Sequence, residues 1–525
     1  MNFYNTSLLH FVFIIILASI ILLYIIYKAK NWRKFELIKK IPGPDGWFLD
    51  GLLSIVTLPP EKMLVKGLEL YKIYEKTTIK TWIFNYLYVF LTNAEDIEEV
   101  ITNPKFKRKS REYLVLQESI MGQGIFSIDN INQWKSNRKM VIAGFNYTIM
   151  RSFLPVFYEE ACVLLKVLHM QCNQNSKGCD ISVPISNATM EMIGRNALGI
   201  KFNAQNGVKH EFIENLFNTM TVWEYRITHP WYLNKTIFQF STLKHKHDRS
   251  HKIINEFTDN IIKSKLAEIQ KNKECINNDE IEQKNISTKS KTFIEILLQN
   301  FQNMSHKQIR DEIITIMIGG QETTAMANAC IIFMLAHHQH VQNKVFEELE
   351  EIFSVGDLNR QPTYEDLQKM VYLERVIKET LRLYPPLPII GRNLEEETKI
   401  GEYIIPANTS LYIFVIGLQT SSKYYENPEK FNPDNFLPEK CHNRHPYAYI
   451  PFSAGYRNCI GIKYAMLQMK TVISTMIRKF RFLPSDKCPT TNDLRLMFLT
   501  TLKFVDGCHV KIENRIKNEI EKIIK

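Results

Sequence analysis

The sequence predicts a mostly α-helical protein with a small β region, preceded by one helix long enough to cross a membrane. Three observations support this prediction. Apolar residues recur at three- and four-residue spacing over most of the chain beyond residue 60, which is the period of a helix with one buried face. Stretches rich in β-branched and aromatic residues, typical of strands, are few. A long uncharged apolar run stands near the N-terminus.

The apolar run Leu8–Tyr27 contains no Asp, Glu, Lys or Arg, and a helix of its length spans the ~30 Å hydrocarbon layer of a membrane. Residues 1–10 contain no Lys or Arg, whereas basic residues follow between positions 28 and 40. The positive-inside rule therefore places residues 1–7 in the lumen and the bulk of the chain in the cytosol. A cleaved signal peptide is the alternative. It would need a basic segment before the run, a shorter run and a small-residue cleavage site, which are missing.

Residues 28–50 are predicted to form a basic and proline-rich linker, because Pro42-Gly43-Pro44 stops any helix that continues from the anchor. Residues 51–525 follow as one large domain, since no repeat divides them. The net charge of +11 is spread along the chain, which suits an anionic membrane or an acidic protein partner. No nucleic-acid-binding motif accompanies it, so no nucleic-acid partner is expected.

Several segments carry clear secondary-structure patterns. Pro362–Tyr384 is predicted to be one amphipathic helix that ends before Pro385-Pro386. The preceding segment Val341–Phe353 has the same period. Strands are expected within Thr78–Leu91 and Ile400–Ile416. Polar residues 272–291 are expected to form an exposed loop between helices.

The longest predicted helix is Ser305–Leu335, with Ser305 and Gln308 as a capping box at its start. Its C-terminal half is apolar almost all round, so the helix should run through the core. Its middle, residues 319–324, nevertheless reads GGQETT, and each glycine costs about 1 kcal/mol relative to alanine in a helix interior. Two interpretations follow. The segment is either a crossing point where another element packs closely and satisfies Glu322, or a functional site.

The stretch PFSAGYRNCIG at residues 451–461 frames Cys459 with Gly455, Gly461 and Arg457. A thiol has a pKa of ~8.5 and needs a metal, backbone N–H groups or a nearby cation to ionise near neutral pH. A helix predicted at Gly461–Arg478 would add the positive end of its dipole. A cysteine nucleophile would want a histidine, which the stretch lacks, and a structural thiol needs no such frame. An axial metal ligand fits all these residues, and haem, with its two propionates, would also suit the arginine.

The pattern F-x-x-G-x-R-x-C-x-G, formed here by Phe452, Gly455, Arg457, Cys459 and Gly461, resembles the haem-binding signature of the cytochrome P450 superfamily. Three further motifs of that superfamily occur in the right order. They are W-x-x-x-R at Trp134 and Arg138, [AG]-G-x-[DE]-T-T at Gly319–Thr324, and E-x-x-R at Glu379 and Arg382. The resemblance covers the whole chain, anchor included, and implies the cytochrome P450 fold.

The resemblance implies a role for each motif residue. Cys459 would bind the iron of haem b, and Thr323 with Glu322 would relay protons to dioxygen. Glu379 and Arg382 would form a buried structural pair behind the haem. The haem propionates would be held by four residues, namely Arg457, Trp134, Arg138 and Arg392.

Residues 364–392 and 451–466 resemble family 4 of the superfamily, the microsomal branch known for ω-oxidation of fatty acids, and in style its insect members. Two departures stand out. Gly319 replaces a glutamate that forms an ester to the haem in many members, so a non-covalent haem is expected. Asn435 stands where the superfamily often has an arginine that joins Glu379 and Arg382, so a variant network is expected.

The function that the resemblance implies is a monooxygenase of the endoplasmic reticulum membrane. It would insert one oxygen atom from O2 into an apolar substrate such as a fatty acid, a terpenoid like juvenile hormone, a hydrocarbon or a xenobiotic. Electrons would come from NADPH through a separate reductase, with cytochrome b5 as a further candidate donor. The reductase would dock on a basic surface near Cys459, for which Lys463, Lys470 and Arg444 are candidates; a solvated charged face is the alternative for each.

The pocket candidates are all apolar, and plain core packing is the alternative for each: Leu116, Ile316, Ile318, Ile390 and Phe498. Two other functions stay open. One is a haem-thiolate isomerase or dehydratase that needs no reductase, although the Glu322-Thr323 pair argues against it. The other is a non-catalytic haem-binding membrane protein.

Overall fold

A computed structural model describes residues 2–44, 57–74, 77–83, 86–173, 177–278, 291–300, 304–354 and 357–515. The α-helices before residue 200 are Asn2–Lys30, Trp32–Lys39, Pro60–Tyr74, Ala94–Thr102, Tyr113–Leu116, Ile131–Ile142, Tyr147–Ser152, Leu154–Asn173 and Ser182–Leu198. Those that follow are Glu211–Thr228, Lys235–Gln239, Thr242–Asn278, Phe293–Asn300, His306–His337, Gln339–Phe353, Tyr364–Lys369, Val371–Leu383, Val415–Gln419, Pro438–Asn443 and Ile462–Lys479. The predicted, mostly helical class is confirmed.

In the part of the chain that the structure describes, the strands form four small sheets. They are β1 (Ile79–Ile83), β2 (Tyr86–Leu91), β3 (Cys179–Asp180), β4 (Ile389–Leu394), β5 (Thr398–Ile400), β6 (Tyr403–Ile405), β7 (Thr409–Phe414), β8 (Phe480–Pro484), β9 (Leu496–Phe498), β10 (Leu502–Phe504) and β11 (His509–Asn514). The largest sheet has the order β1-β2-β7-β4, in which only the β2–β7 pair is parallel. The others are β3-β11-β8, β5-β6 and β9-β10. Both strand regions predicted from the sequence contribute to the largest sheet.

His306–His337, here called the central helix, runs through the main core. Its predicted capping box is present: the Ser305 hydroxyl accepts from the backbone N–H of Gln308 at 3.2 Å, and the Gln308 side chain accepts from the backbone N–H of Ser305 at 2.8 Å. The Asn328 side chain donates to the Gln468 side chain of Ile462–Lys479 at 2.9 Å. This hydrogen bond links the GGQETT helix to the helix that follows Cys459.

The prediction of a single helix at Pro362–Tyr384 is wrong, because the chain forms two helices there, Tyr364–Lys369 and Val371–Leu383. Met370 separates them, with ψ at 73°. The Glu348 carboxylate accepts from the backbone N–H groups of Tyr372 and Leu373 at 2.5 and 2.9 Å. A side-chain cap from another helix thus satisfies the start of the second helix, a partner that the local pattern does not reveal.

The N-terminal apolar run lies within the helix Asn2–Lys30, and His10–Lys30 is long and apolar enough to cross a membrane. The predicted linker contains a second helix, Trp32–Lys39, that contacts the β region. Arg33 forms two hydrogen bonds to the Glu397 carboxylate at 2.7 and 2.8 Å, and Lys80 donates to the carbonyl of Ile38 at 2.7 Å. The last linker residues, 45–50, and residues 279–290 of the predicted loop lie outside the described residues. The loop prediction is wrong for residues 272–278, which belong to the helix Thr242–Asn278.

Candidate active site

Cys459 lies between a tight turn and the start of a helix. Its backbone N–H donates to the Phe452 carbonyl at 2.9 Å. Gly455 has a φ of +62°, and a Cβ there would lie 2.2 Å from the Ile101 carbonyl oxygen, so no other residue fits. Gly461 is less constrained, since a Cβ there would meet the Cys459 sulfur at an ordinary 3.7 Å. The helix Ile462–Lys479 follows directly, as predicted.

The Cys459 side chain is enclosed by protein but has an accessible surface, because it faces a cavity. Burial raises the pKa of the thiol, whereas a backbone hydrogen bond from Gly461 and the charges of Arg138 and Lys109 lower it. The N-terminal end of Ile462–Lys479 adds positive potential at the same point. The sulfur is therefore poised to act as a thiolate ligand once a metal replaces the proton.

Four cations line the same cavity: Lys109, Arg138, Arg392 and Arg457. Arg392 and Arg457 are only 2% and 7% exposed. Burial, together with the neighbouring charges of Arg392 and Arg138, lowers the pKa of Arg457 to about 9. Among the described residues that line the cavity, Glu322 is the only carboxylate.

This concentration of positive charge needs a partner, because buried charges are costly unless they are paired. Arg457 stacks over the Trp134 ring at 4.2 Å and donates to the carbonyls of Lys107 and Ile128. Arg138 donates to the Asn458 carbonyl at 2.9 Å. A planar ligand with two carboxylates and a metal for the sulfur would satisfy this wall. The residues present fit haem.

Lys109 is a site residue that the sequence motifs do not reveal. Its ammonium lies 4.2 and 4.3 Å from the ring centroids of Tyr113 and Phe126. Burial lowers the pKa of Lys109 well below its ordinary value, and the charges of Arg392 and Arg457 lower it further. It sits in the basic run KFKRKSR at residues 105–111. Nothing in that run distinguishes this lysine from its solvated neighbours.

The central helix brings residues 319–324 to the cavity, as predicted. The Thr323 hydroxyl donates to the Gly319 carbonyl at 2.7 Å, and the Thr324 hydroxyl donates to the Gly320 carbonyl at 2.6 Å. Such hydrogen bonds to the preceding turn often bend helices. A Cβ at Gly319 would meet no protein atom within 4 Å. The glycine therefore leaves open space beside Thr323.

Glu322 has a cationic partner outside every motif. The Lys503 ammonium on β10 lies 3.2 Å from Glu322 Oε1 and 2.5 Å from Glu224 Oε1 on the helix Glu211–Thr228. Glu224 is 3% exposed, and burial raises its pKa. One lysine thus joins the central helix to two elements distant in sequence.

Glu379 and Arg382 form the predicted pair, and both are fully buried. Arg382 Nε and Nη2 contact the two carboxylate oxygens at 2.8 and 2.7 Å, and the remaining N–H groups reach backbone carbonyls of Gln419, Pro428 and Lys430. The Asn435 amide also donates to Glu379, at 3.1 Å. The structure brings these three residues together.

The pocket candidates divide into two groups. Ile316, Ile318 and Ile390 line the cavity, whereas Leu116 and Phe498 are not among its lining residues. Leu116 is 1% exposed and packs in the main core, and Phe498 packs against a second cluster near Met326. The contacts of Leu116 and Phe498 are therefore those of core packing, which was the alternative to a pocket role.

The basic surface candidates also differ. Lys463 is exposed and Arg444 is half-buried, stacked over the Tyr425 ring at 4.2 Å. Lys470 is 4% exposed and donates to the Glu374 carboxylate at 2.7 Å. The prediction that Lys470 belongs to a docking surface is therefore wrong. Its partner, Glu374, lies on the neighbouring helix Val371–Leu383, which packs over it.

Comparison with known proteins agrees with this site. A family model for cytochrome P450 matches residues 41–505. The chain is 30% identical over 518 residues to cytochrome P450 4g1 of Drosophila melanogaster, covering 93% of this chain and 91% of that one. It is 33% identical over 445 residues to human cytochrome P450 4V2, covering 84% and 83% of the two chains.

The fold has a solved counterpart in the heme domain of a cytochrome P450DA mutant. The two share 19% sequence identity with a TM-score of 0.76, over 91% of this chain and 98% of that one. The sequence resemblance is confirmed, and the relatives by name are family 4 proteins. The chain belongs to the cytochrome P450 family.

Proposed function

We propose that this protein is a membrane-anchored haem-thiolate monooxygenase that inserts one oxygen atom from O2 into an apolar substrate. The observation that carries the proposal is the cavity itself, where the Cys459 thiol and four cations face the same space. The isoleucines at 316, 318 and 390 give the rest of the lining an apolar character suited to a fatty acid, terpenoid, hydrocarbon or xenobiotic.

Each residue around the cavity has a specific role in binding haem. Cys459 would bind the haem iron through its sulfur, while Arg457, Arg138, Arg392 and Trp134 would hold the propionates, with Phe452, Gly455 and Gly461 framing the ligand loop. Haem iron bound through a thiolate supplies dioxygen activation. The haem would be bound non-covalently, because Gly319 offers no carboxylate for an ester.

Thr323 and Glu322 manage protons. The Thr323 hydrogen points to the Gly319 carbonyl, so its oxygen can accept a hydrogen bond from a water in the cavity. The Glu322 carboxylate lies 3.2 Å from the Lys503 ammonium. It is the next group in the proton relay after Thr323 and carries the proton. Replacing either residue should slow product formation more than it weakens substrate binding.

The cellular setting is part of the same proposal. The helix His10–Lys30 anchors the chain in the endoplasmic reticulum membrane with the N-terminus luminal, and the domain faces the cytosol. Electrons come from NADPH through a separate reductase, with cytochrome b5 as a second donor. Lys463 and Arg444 remain candidates for the docking surface.

The first test is the carbon monoxide difference spectrum of the reduced, detergent-solubilised full chain, with Cys459→Ser measured beside the wild type. A long-wavelength Soret band that the substitution abolishes is the expected result. A well-folded wild type without such a band would overturn the proposal. Turnover of apolar substrates that requires both NADPH and reductase would then separate a monooxygenase from an isomerase or a haem-binding protein.

A further inference from the structure

Glu312 on the central helix is a buried carboxyl group that the proposed mechanism does not use. It is fully buried and, unlike Glu322, is not among the residues that line the cavity. One of its oxygens accepts from the backbone N–H of Ile125 at 3.0 Å, and the other accepts from the Asn137 side-chain amide at 2.8 Å. These hydrogen bonds offset the cost of burying the group. The segments that they connect indicate what the group does.

The first partner belongs to residues 122–128, here called the 122–128 turn, which contacts Arg457. Within this turn the backbone N–H of Ile128 donates to the Gly124 carbonyl at 3.0 Å. Arg457 donates to the carbonyls of Ile125 and Ile128 at 3.5 and 3.2 Å. The backbone of Ile125 therefore lies between two side chains, because its N–H reaches Glu312 and its carbonyl accepts from Arg457.

The second partner, Asn137, lies on the helix Ile131–Ile142, directly before Arg138 and three residues after Trp134. Trp134 and Arg138 both line the cavity, and the Arg457 guanidinium lies 4.2 Å from the Trp134 ring. Asn137 is 2% exposed, and its amide contacts the central helix. The helix that presents Arg138 and Trp134 to the cavity is thus hydrogen-bonded to the central helix through Asn137.

The 122–128 turn approaches the central helix closely because two glycines allow it. Gly122 has a φ of +47°, and a Cβ there would clash with the Asp311 carboxylate. A Cβ at Gly124 would clash with the Thr315 hydroxyl. Asp311 also accepts from the backbone N–H of Gln123 at 2.8 Å. Two consecutive carboxyl groups of the central helix therefore hold this turn.

Resting on the haem site proposed above, we propose that Glu312 is a positioning residue for the propionate contacts of haem. It fixes two segments relative to the central helix: the 122–128 turn beside Arg457, and the helix that carries Arg138 and Trp134. Contacts between an arginine and a carboxylate depend on direction as well as distance, and the groups that orient ligand-binding side chains contribute to affinity. The alternative is a purely structural role, in which loss of Glu312 lowers stability but leaves haem binding by the folded protein unchanged.

The rate of haem transfer from the haem-loaded, detergent-solubilised full chain to excess apomyoglobin tests the proposal. Glu312→Met removes both hydrogen bonds and should accelerate haem loss about tenfold. Asn137→Leu removes one of them and should accelerate haem loss about threefold. If Glu312→Met does not fold, Asn137→Leu decides, and a wild-type transfer rate in that variant would overturn the proposal.

Glu312→Gln should restore haem retention. The glutamine oxygen accepts from the Ile125 N–H, and the glutamine NH2 group donates to the Asn137 oxygen once the Asn137 amide is turned over. Both connections are then kept, so the transfer rate should stay within about twofold of the wild-type rate. A rate as fast as that of Glu312→Met would mean that the connections themselves do not hold the site, and the proposal would fall.

Glu191→Met is the matched control. Glu191 lies on the helix Ser182–Leu198, is 1% exposed and accepts from the backbone N–H of Ala204 at 3.0 Å. Neither Glu191 nor Ala204 is among the residues that line the cavity. Removing Glu191 should lower the free energy of unfolding but leave the rate of haem transfer unchanged. Equal acceleration in Glu191→Met and Glu312→Met would show that haem loss follows general loosening of the core, contrary to the proposal.

The carbon monoxide spectrum of the wild type separates this inference from the proposed function. Absence of the long-wavelength band would defeat the haem-thiolate proposal itself. A normal spectrum together with wild-type haem transfer in Glu312→Met would defeat only the positioning role of Glu312.

Discussion

The Asn435 amide donates a hydrogen bond to Glu379 Oε1 over 3.1 Å, in the position where the superfamily often has an arginine. Glu379 also accepts from Arg382 and from the backbone N–H of Asn432 at 2.9 Å. The buried network therefore consists of one carboxylate, one guanidinium and a neutral amide. Because each unpaired buried charge costs several kcal/mol, a neutral donor completes this network without adding a charge that would need its own partner.

Asn435→Asp should be strongly destabilising. The substitution preserves shape but places a second carboxylate beside the fully buried Glu379, so a loss of about 3 kcal/mol or more in the free energy of unfolding is expected. Asn435→Ala removes only one donor to a charged group and should cost about 1.5–3 kcal/mol. Urea unfolding of the detergent-solubilised chain, followed by tryptophan fluorescence, measures both.

The control for this prediction is Asn443→Asp, at an exposed position in the following helix Pro438–Asn443. It should change stability by less than about 0.5 kcal/mol. Equal effects at positions 435 and 443 would show that the Asn435 amide is not part of the network.

Lys109→Met should affect the apoprotein and the loaded protein in opposite directions. Burial and two neighbouring guanidinium groups lower the pKa of Lys109. The charged ammonium therefore destabilises the folded protein until an anion binds beside it. Removing it should stabilise the haem-free protein. The same change removes one of the four cations that line the proposed haem site, so haem should be lost to a haem acceptor about tenfold faster.

Two measurements follow from this prediction: the unfolding midpoint without haem, and the rate of haem transfer to excess apomyoglobin. Lys135→Met, an exposed lysine on the helix Ile131–Ile142, is the control and should leave both unchanged. A variant that loses stability without haem would refute the idea of uncompensated positive charge in this wall.

Lys503→Met tests the ion pair that joins three elements. Lys503 and Lys511 are similarly exposed, 32% and 34%, but the partner of Lys503 is buried Glu224, whereas that of Lys511 is exposed Asp486. Removing the cation from a buried carboxylate should cost about 2 kcal/mol or more, while Lys511→Met should cost less than about 0.5 kcal/mol. Similar costs would mean that water solvates Glu224 well.

The sequence predicts what is encoded locally. The ligand loop, the GGQETT segment and the capping box at Ser305 are contiguous patterns, and each lies where its spacing indicates. Lys109 and Lys503 escaped prediction because their partners come from distant segments and a lysine alone carries no signal. The break at Met370 has the same origin, since Glu348 caps the second helix from another element.

The remaining differences between the predicted and the observed positions of side chains concern burial. Lys470 was predicted to lie on a basic surface, yet its ammonium reaches the Glu374 carboxylate and the Leu367 carbonyl inside the helix layer. Leu116 and Phe498 carry the apolar character expected of pocket residues, but core positions require the same character. A one-dimensional pattern therefore separates buried from exposed residues better than it separates cavity wall from core.

Glu312 on the central helix should make stability depend on pH. It is fully buried, and its carboxylate accepts from the Ile125 backbone N–H at 3.0 Å and the Asn137 amide at 2.8 Å. Burial raises the pKa of Glu312 from 4.5 to about 8, although these hydrogen bonds oppose the shift. The folded chain therefore holds a proton that the unfolded chain releases above about pH 4.5.

The sign of the effect follows from proton binding. Because the folded state binds more protons, the contribution of this group is complete below the unfolded pKa and is lost as the pH rises toward about 8, with a slope of at most about 1.4 kcal/mol per pH unit. Glu312→Gln cannot titrate and should flatten the curve. The free energy of unfolding in urea is measured for both proteins at intervals from pH 5 to 8. The difference between the two curves removes the contributions of the titrating groups that both proteins share. Parallel curves would mean that the N–H donors keep Glu312 ionised throughout, and that the carboxylate holds the 122–125 segment to the central helix as an anion.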